Sequence, residues 1–280
     1  MSKLPMSQML KKAKEGGYAV GAFNIFNHMT ARAVIKAAEV VDKPVILQTS
    51  TGTVKYYGVK ELSSMIHELI EQAKVPVYLH LDHCTDLVFA KECVDAGWDA
   101  VMIDASKHVI AENIRQTKEV VEYAHERQAE VEGELGVIEG VEEEIQAQNS
   151  ELASFEECVQ YVEESGVDIF APALGTAHGV YTGTPVIHYD LVKQLGRSLD
   201  QPLVCHGGSG LSQETFQRLI DDGIAKVNIS TILKQTYIHS AADYLKQHPD
   251  ESAPLKLEEA MFCSLKEAIQ EHIHIFSNGK

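Results

Sequence analysis

A closed α/β barrel of eight strand–helix units, the (β/α)8 or TIM architecture, is the fold this sequence predicts, and three observations predict it. Eight short apolar or β-branched runs alternate with segments of helical periodicity, the runs are apolar enough for burial on both faces, and polar residues gather at their C-terminal ends. With 280 residues and 45% hydrophobic content the chain can bury a large core. No boundary-like linker or low-complexity tract divides it, so it reads as a single domain over 1–280, with 232–280 as a C-terminal helical arm. An open doubly wound sheet is the competing topology, but no GxGxxG follows the first strand.

The first three strands are expected at YAVGAFNI (18–25), PVILQTS (44–50) and VPVYLHLD (75–82). AVMIDAS (100–106) and AEVEGELG (129–136) follow, then IFAPALG (169–175), PLVCHGG (202–208) and IAKVNIST (224–231). Between them MTARAVIKAAEVV, KELSSMIHELIEQA, DLVFAKECVDAG, AENIRQTKEVVEYAHERQ, FEECVQYVEESG and SQETFQRLIDDG repeat apolar residues at helical spacing. Several begin at a capping Asn, Thr or Ser and end at Gly or before Pro. Two stretches depart from compact spacing. VIEGVEEEIQAQNSELAS (137–154) is too acidic for core and long for a strand-to-helix loop, and is expected to be a mobile lid or a solvated excursion. After the last strand, TILKQTYIHSAADYLKQ and, beyond HPDESAP, LKLEEAMFCSLKEAIQEHIHIF form the arm, which suggests an oligomer.

The 24 Lys and Arg against 41 Asp and Glu give a formal charge of −17, which disfavours nucleic acid and anionic membranes as partners. A phosphorylated ligand must then be held by local backbone dipoles. Five cysteines, odd in number and without a CxxC pair, fit reduced thiols in the cytoplasm. The N-terminal MSKLPMSQMLKKAKEGG has no signal-peptide core, and no apolar run reaches the ~20 residues of a membrane span.

Active sites of such barrels lie at the C-terminal strand ends, so polar residues there are weighted towards function. Asn24 ends the first strand, Gln48 and Ser50 lie on the second, Asp82 and His83 on the third, Asp104 on the fourth, and Glu132 and Glu134 on the fifth. His178 follows the sixth, His206 is near the end of the seventh, and Asn228, Ser230 and Thr231 close the eighth. A lone strand-end histidine is usually a hydrogen-bonded rim residue. Three of them flanked by carboxylates point to a metal, and neutral imidazoles at His83, His178 and His206 suit Zn²⁺ with one position open to substrate or water. His80 is the competitor of His83 and reads as core or as a supporting residue. In HGGSG, the glycines and Ser209 would cradle a phosphate at a helix start, and NIST of the eighth strand supports this, because the last two loops of these barrels often share a phosphate. Asp82 is either a general acid or a partner that orients a histidine. Glu142, Glu143 and Glu144 read first as a solvated face, from which one member would reach the site if the loop closed.

AFNIFN, LDH with Asp82 and His83, ELG with Glu134, GTAHGVY with His178, HGGSG with His206, and KVNIST together resemble the class II, metal-dependent ketose-bisphosphate aldolases, nearest the bacterial tagatose- and fructose-bisphosphate aldolases. The resemblance runs in order along almost the whole chain. It implies a (β/α)8 barrel, a homodimer or homotetramer, and catalytic Zn²⁺ on His83, His178 and His206, with Asp104 and Glu134 at a displaced metal position. It implies Asp82 as the residue exchanging the proton of the C4 hydroxyl, Glu142 near the family's proton-transfer glutamate, and Asn228 on the enediolate. Gly179, Gly207, Ser209 and Thr231 would hold the phosphate of the dihydroxyacetone phosphate half, with Gly208, Ser230, Asn24, Gln48 and Ser50 lining the substrate. Main-chain oxygens near Gly179 and Gly207 would take a monovalent cation, Na⁺ or K⁺.

Two departures bear on the substrate. The family's acidic loop is glycine-rich before its glutamate, whereas this chain has Ile138 and Glu139 there. Many relatives carry an arginine near the start of the last helix for the distal phosphate; APLKLEEAMF offers only Lys256, which weakens a bisphosphate assignment. A Schiff-base mechanism on Lys107 or Lys226 is the internal rival, but it would leave the rim histidines without a purpose. A hydrolase activating water on the metal, and a non-catalytic subunit of an aldolase complex, are the readings from other classes.

Overall fold

The computed structural model of the chain describes residues 3–142, 145–147, 151–179, 181, 183 and 185–280. Its strands are β1 (Val20–Asn24), β2 (Val45–Ser50), β3 (Val77–Cys84), β4 (Ala100–Ile103), β5 (Glu130–Leu135), β6 (Glu139–Glu142), β7 (Ile145–Ala147), β8 (Ile169–Pro172), β9 (Ala177–His178), β10 (Leu203–Cys205) and β11 (Ile224–Ile229). Its helices are α1 (Met6–Gly16), α2 (His28–Val41), α3 (Thr51–Tyr57), α4 (Val59–Glu71), α5 (Leu87–Asp95), α6 (Ile110–His125), α7 (Phe155–Ser165), α8 (Tyr189–Ser198), α9 (Gln213–Asp221), α10 (Thr231–Gln247) and α11 (Pro254–Phe276).

Eight parallel strands close into a barrel in the order β1-β11-β10-β8-β5-β4-β3-β2, which excludes the open sheet. Seven of the eight expected runs contain one of these strands, and β3 runs two residues past its expected end at 82. The helices start where the sequence punctuates them: Asn27 and Ser154 close capping boxes with Thr30 and Glu157, and Ser50, Asp86 and Ser212 accept backbone N–H bonds at the starts of α3, α5 and α9.

Inside the barrel, alternate residues of each strand point inward. Towards the strand starts these are apolar: Val20, Ala22, Ile46, Tyr78, Ala100, Ile169, Ala171 and Val204 form one buried cluster with Met6, Met9, Leu10 and Ala13 of α1. That helix, not anticipated from sequence, plugs the end of the barrel opposite the rim. Outward-facing strand residues such as Phe23, Leu47, Leu79, Val101 and Phe170 join the second, larger core under the helices.

The acidic stretch differs from the loop expected for it. β6 and β7 pair antiparallel, and β6 pairs parallel with β9, so a three-stranded sheet stands beside the barrel mouth and carries His178 on one of its strands. The pairing needs a close approach: a Cβ on Gly140, at φ 115°, would lie 2.2 Å from the His178 carbonyl oxygen. The C-terminal arm turns back on its own barrel. Met261, Leu265, Ile269, Ile273 and Phe276 of α11 are buried, and the Phe276 carbonyl accepts the Ala19 N–H at 3.0 Å. α10 buries only Leu233 and leaves Ile238 and Leu245 61% and 47% exposed. No helix among the described residues is long and apolar enough to cross a membrane.

Candidate active site

β3 supplies two adjacent site residues, which regular alternation forbids because neighbours on a strand face opposite sides. The register between β3 and β4 shifts between Leu81 and Cys84, and His83 takes a left-handed backbone with φ 46°. A non-glycine residue there carries strain of order 1–3 kcal/mol. The bulge turns His83 inward beside Asp82, so both side chains are buried at the rim.

The three histidines meet. Ligand atoms of His83, His178 and His206 all lie within 4.8 Å of one another, and those of His83, Asp104 and Glu134 do the same. His83 Nδ1 lies 3.2 Å from Asp104 Oδ2, and His206 Nε2 lies 3.0 Å from Glu132 Oε1. Burial alone would raise the pKa of either carboxylate, but His83 and Ser106 hold Asp104 below its ordinary value and Lys226 does so for Glu132. Two ionised acceptors require N–H at the nitrogens they face. Burial, then His83 nearby, pushes the His206 pKa well below its usual value, so this ring is neutral and its other nitrogen, Nδ1, presents a lone pair. That Nδ1 stands 2.9 Å from Nε2 of His83. A neutral imidazole that turns a lone pair towards the space it shares with two further histidines is a ligand set that a divalent cation satisfies. His178, also neutral through burial, completes the trio. The second group fits as well: Glu134 Oε2 is buried without a hydrogen-bond partner, and burial together with Asp104 lifts the Glu134 pKa well above normal.

Asp82 sits between two amides. Asn24 Nδ2 donates to Oδ2 at 2.9 Å and Asn228 Nδ2 to Oδ1 at 3.4 Å. Burial opposes ionisation here, but His83, the Lys226 ammonium and the hydrogen bond from Asn24 outweigh it and lower the pKa. Gln48 is fully buried beneath, donating to Asn24 Oδ1 at 3.1 Å and facing His80 Nδ1 at 3.1 Å. His80 is therefore a supporting residue. Ser50 caps α3 by accepting the Thr53 N–H at 3.2 Å.

The glycine loop lies against the end of β11: Gly208 N–H donates to the Asn228 carbonyl at 3.2 Å and the Ile232 N–H to Ser209 Oγ at 3.4 Å. Gly207 needs its residue type, because at φ 66° a Cβ would sit 2.4 Å from the Ala177 carbonyl oxygen. Ser230 precedes α10, which opens at Thr231, and its Oγ is buried without a hydrogen-bond partner. A buried hydroxyl without a partner and the start of a 17-residue helix beside a glycine loop are groups of the kind that can hold an anion. Gly179, at φ 93°, follows His178 directly.

Three contributors escaped the sequence reading. Glu132 stood in the rim inventory without a role, yet it grips His206. Lys226, a Schiff-base candidate by sequence, is fully buried and donates to Glu132 Oε2 at 2.8 Å and Asn228 Oδ1 at 2.9 Å, while Lys107 is exposed. Tyr181 received no role, though its hydroxyl donates to the Gly207 carbonyl at 2.7 Å and accepts the Ala177 N–H at 3.0 Å, which ties β9 to the glycine loop. The Glu142 side chain, and all of Glu143 and Glu144, lie outside the described residues.

Comparison with known proteins agrees with this geometry along the whole chain. The family model described as fructose-bisphosphate aldolase class-II matches residues 4–280. A fructose-bisphosphate aldolase of Staphylococcus aureus is 37% identical over 284 residues, covering 100% of this chain and 99% of its own. One from Geobacillus stearothermophilus is 39% identical over 260 residues, covering 92% and 91%. The crystal structure of the YdjI aldolase from Escherichia coli K12 superposes with a TM-score of 0.86 at 33% identity, covering 98% of this chain and 97% of that one.

Proposed function

The chain belongs to the class-II fructose-bisphosphate aldolase family, and from that premise we propose that it cleaves and forms the C3–C4 bond of a ketose phosphate with a Zn²⁺ ion held by His83, His178 and His206, Asp104 and Glu134 offering a second position. The convergence of those three imidazoles beside Asp82 carries the reading. When bound, the divalent ion supplies Lewis acidity to the C2 oxygen, which stabilises negative charge developing at C3.

The protein's own groups do the rest. Asp82, ionised and aimed by Asn24 and Asn228, accepts the proton of the C4 hydroxyl as the bond breaks and returns it in condensation. Asn228 also faces the oxygen-bearing carbons of the dihydroxyacetone phosphate half. Gly179, Gly207, Ser209, Ser230 and Thr231 hold its phosphate through backbone N–H groups, hydroxyls and the start of α10, and Gly208, its N–H bonded to the Asn228 carbonyl, seats that loop against β11 to line the substrate. Gln48 and Ser50 act by fixing Asn24 and the first turn of α3. Glu142 of the hairpin exchanges the C3 proton. A monovalent cation, Na⁺ or K⁺, on main-chain oxygens near Gly179 and Gly207 would brace the phosphate loop alongside Tyr181.

The distal group follows from the arm. Lys256, the cation nearest the start of α11, is largely exposed and pairs with Glu251 Oε2 at 3.1 Å. Such an exposed pair is weak, so a fructose or tagatose 1,6-bisphosphate is the first reading, with a ketose 1-phosphate carrying a neutral or differently charged distal end as the alternative. The exposed Ile238, Leu245 and Leu255 of α10 and α11 supply the apolar face for a homodimer or homotetramer. The buried, unpaired thiols of Cys84, Cys93, Cys158 and Cys205 suit the cytoplasm.

Retro-aldol assays with fructose and tagatose 1,6-bisphosphates and the corresponding 1-phosphates, detecting released dihydroxyacetone phosphate, test both parts. Turnover abolished by chelation, restored by Zn²⁺ and untouched by borohydride is expected. Borohydride trapping would instead restore the lysine mechanism, and a clear preference for either bisphosphate would remove the alternative distal end.

A further inference from the structure

Beneath the metal ligands, eight buried polar side chains nearly close a ring inside the barrel. From Glu132 one arm runs through Lys226 and Asn228 to Asp82, with contacts of 2.8, 2.9 and 3.4 Å. The other runs back from Asp82 through Asn24, Gln48 and His80, with contacts of 2.9, 3.1 and 3.1 Å. The eighth member, His206, hangs from the remaining oxygen of Glu132 at 3.0 Å. Lys226, Glu132, His80 and Gln48 are fully buried, and none of the eight is more than 7% exposed.

Donor and acceptor identities give the ring a direction. Lysine has donors only, so it claims the oxygen of the Asn228 carboxamide and leaves the amide N–H to point at Asp82. In the other arm Gln48 donates to Asn24, which exposes the Gln48 oxygen to His80 Nδ1 and places the His80 proton there. His80 Nε2 is then bare; it faces Glu132 Oε2 at 3.6 Å and is buried without a hydrogen-bond partner. The ring is broken at that point. The Lys226 arm alone connects the carboxylate that grips a metal ligand with the carboxylate that moves the proton.

We propose that the Glu132–Lys226 pair is a two-way positioning device: Glu132 fixes the ring orientation and tautomer of His206 for the metal, and Lys226 fixes the polarity of the Asn228 amide and through it the aim of Asp82. This rests on the aldolase reading above for the part that concerns Asp82. Neither residue touches the reacting atoms, and neither acts as a nucleophile. The pair links two parts of the site that lie far apart in the chain, on β5 and β11.

Removing one charge alone would strand the other in the core, so the informative variants remove both. Glu132→Gln/Lys226→Met keeps an oxygen to accept the His206 N–H but loses the Lys226 bond to Asn228. Glu132→Leu/Lys226→Met loses both functions and replaces the ion pair with apolar packing, a change that proteins usually tolerate. Circular dichroism checks folding, Co²⁺ binding is read by visible absorption in competition with a chelator, and kcat and KM come from the retro-aldol assay. The Gln/Met protein is expected to bind Co²⁺ as the wild type does, while its kcat falls by about 10- to 100-fold at unchanged KM. The Leu/Met protein is expected to lose about 10- to 100-fold in Co²⁺ affinity as well.

Unchanged kcat in the Gln/Met protein overturns the Lys226 half. Equal Co²⁺ affinity in the two double variants overturns the Glu132 half. If the wild type cleaves no ketose phosphate, the functional reading fails and takes the Asp82 half with it, and the Co²⁺ comparison still decides the Glu132 half.

Discussion

Two ends of one barrel interior are made from the same strands and filled in opposite ways. On β3, Tyr78 packs among the methionines of α1, whereas His80 and Asp82, the next inward positions, belong to the polar ring under the metal ligands. On β2, Ile46 lies in the apolar plug and Gln48 in the ring. The plug end needs only volume and apolarity, and a helix of ordinary composition satisfies it. At the rim every buried polar atom must find a partner, so each residue there constrains the next. Stability should therefore reside at one end and chemistry at the other.

The comparison breaks if the ends do not separate when mutated. Asp82→Asn should lower kcat by about 10²- to 10⁴-fold while divalent-ion content, measured by elemental analysis, stays at the wild-type level. Leu10→Ala, at the fully buried centre of the plug, should destabilise by about 2–5 kcal/mol in urea denaturation and leave kcat unchanged for the fraction that is folded. An equal loss of turnover in that variant would show that the ends are coupled.

Smaller effects sharpen the contrast. Gly207→Ala places a methyl against the Ala177 carbonyl at a left-handed position; KM for the phosphorylated substrate should rise by about 10-fold, the equivalent of 1–3 kcal/mol of strain, with metal affinity kept. The smallest concerns Glu130, a carboxylate at the plug end to which Ser7 N–H donates at 2.9 Å. Burial raises its pKa above the ordinary 4.5 despite that bond. The native state thus holds the Glu130 proton more tightly than the unfolded chain, so the contribution of this group to stability falls as pH rises through the window that opens at 4.5. The stability difference between Glu130→Gln and the wild type should accordingly move in favour of the variant between acid and neutral pH. A difference that is flat with pH, or that moves the other way, would place Glu130 in a wetter setting than its burial implies.

The barrel was legible because strands buried on both faces read as apolar runs with polar ends, and because the three histidines sit just past such runs. Asp82, Asn228 and the glycine loop were legible for the same reason. What sequence could not show depends on contacts across the barrel or on departures from regular geometry. The bulge that turns His83 inward has no mark in YLHLDHC. The hairpin of β6 and β7 exists because β9 offers it an edge, and the plug role of α1 requires knowing which end of the barrel is open. Glu132 and Lys226, 94 positions apart, look like separate strand residues until the barrel closes and pairs them.

The central claim is that His83, His178 and His206 share one divalent ion required for carbon–carbon cleavage. Titrating metal-free protein with Co²⁺ and following the visible absorption, in the wild type and in the His83→Ala, His178→Ala and His206→Ala variants, tests it most directly. One tightly bound Co²⁺ per chain that supports retro-aldol turnover, with both binding and turnover lost in all three variants, is the result this account predicts. Undiminished Co²⁺ binding in any of the variants, or full turnover by metal-free protein, would contradict it.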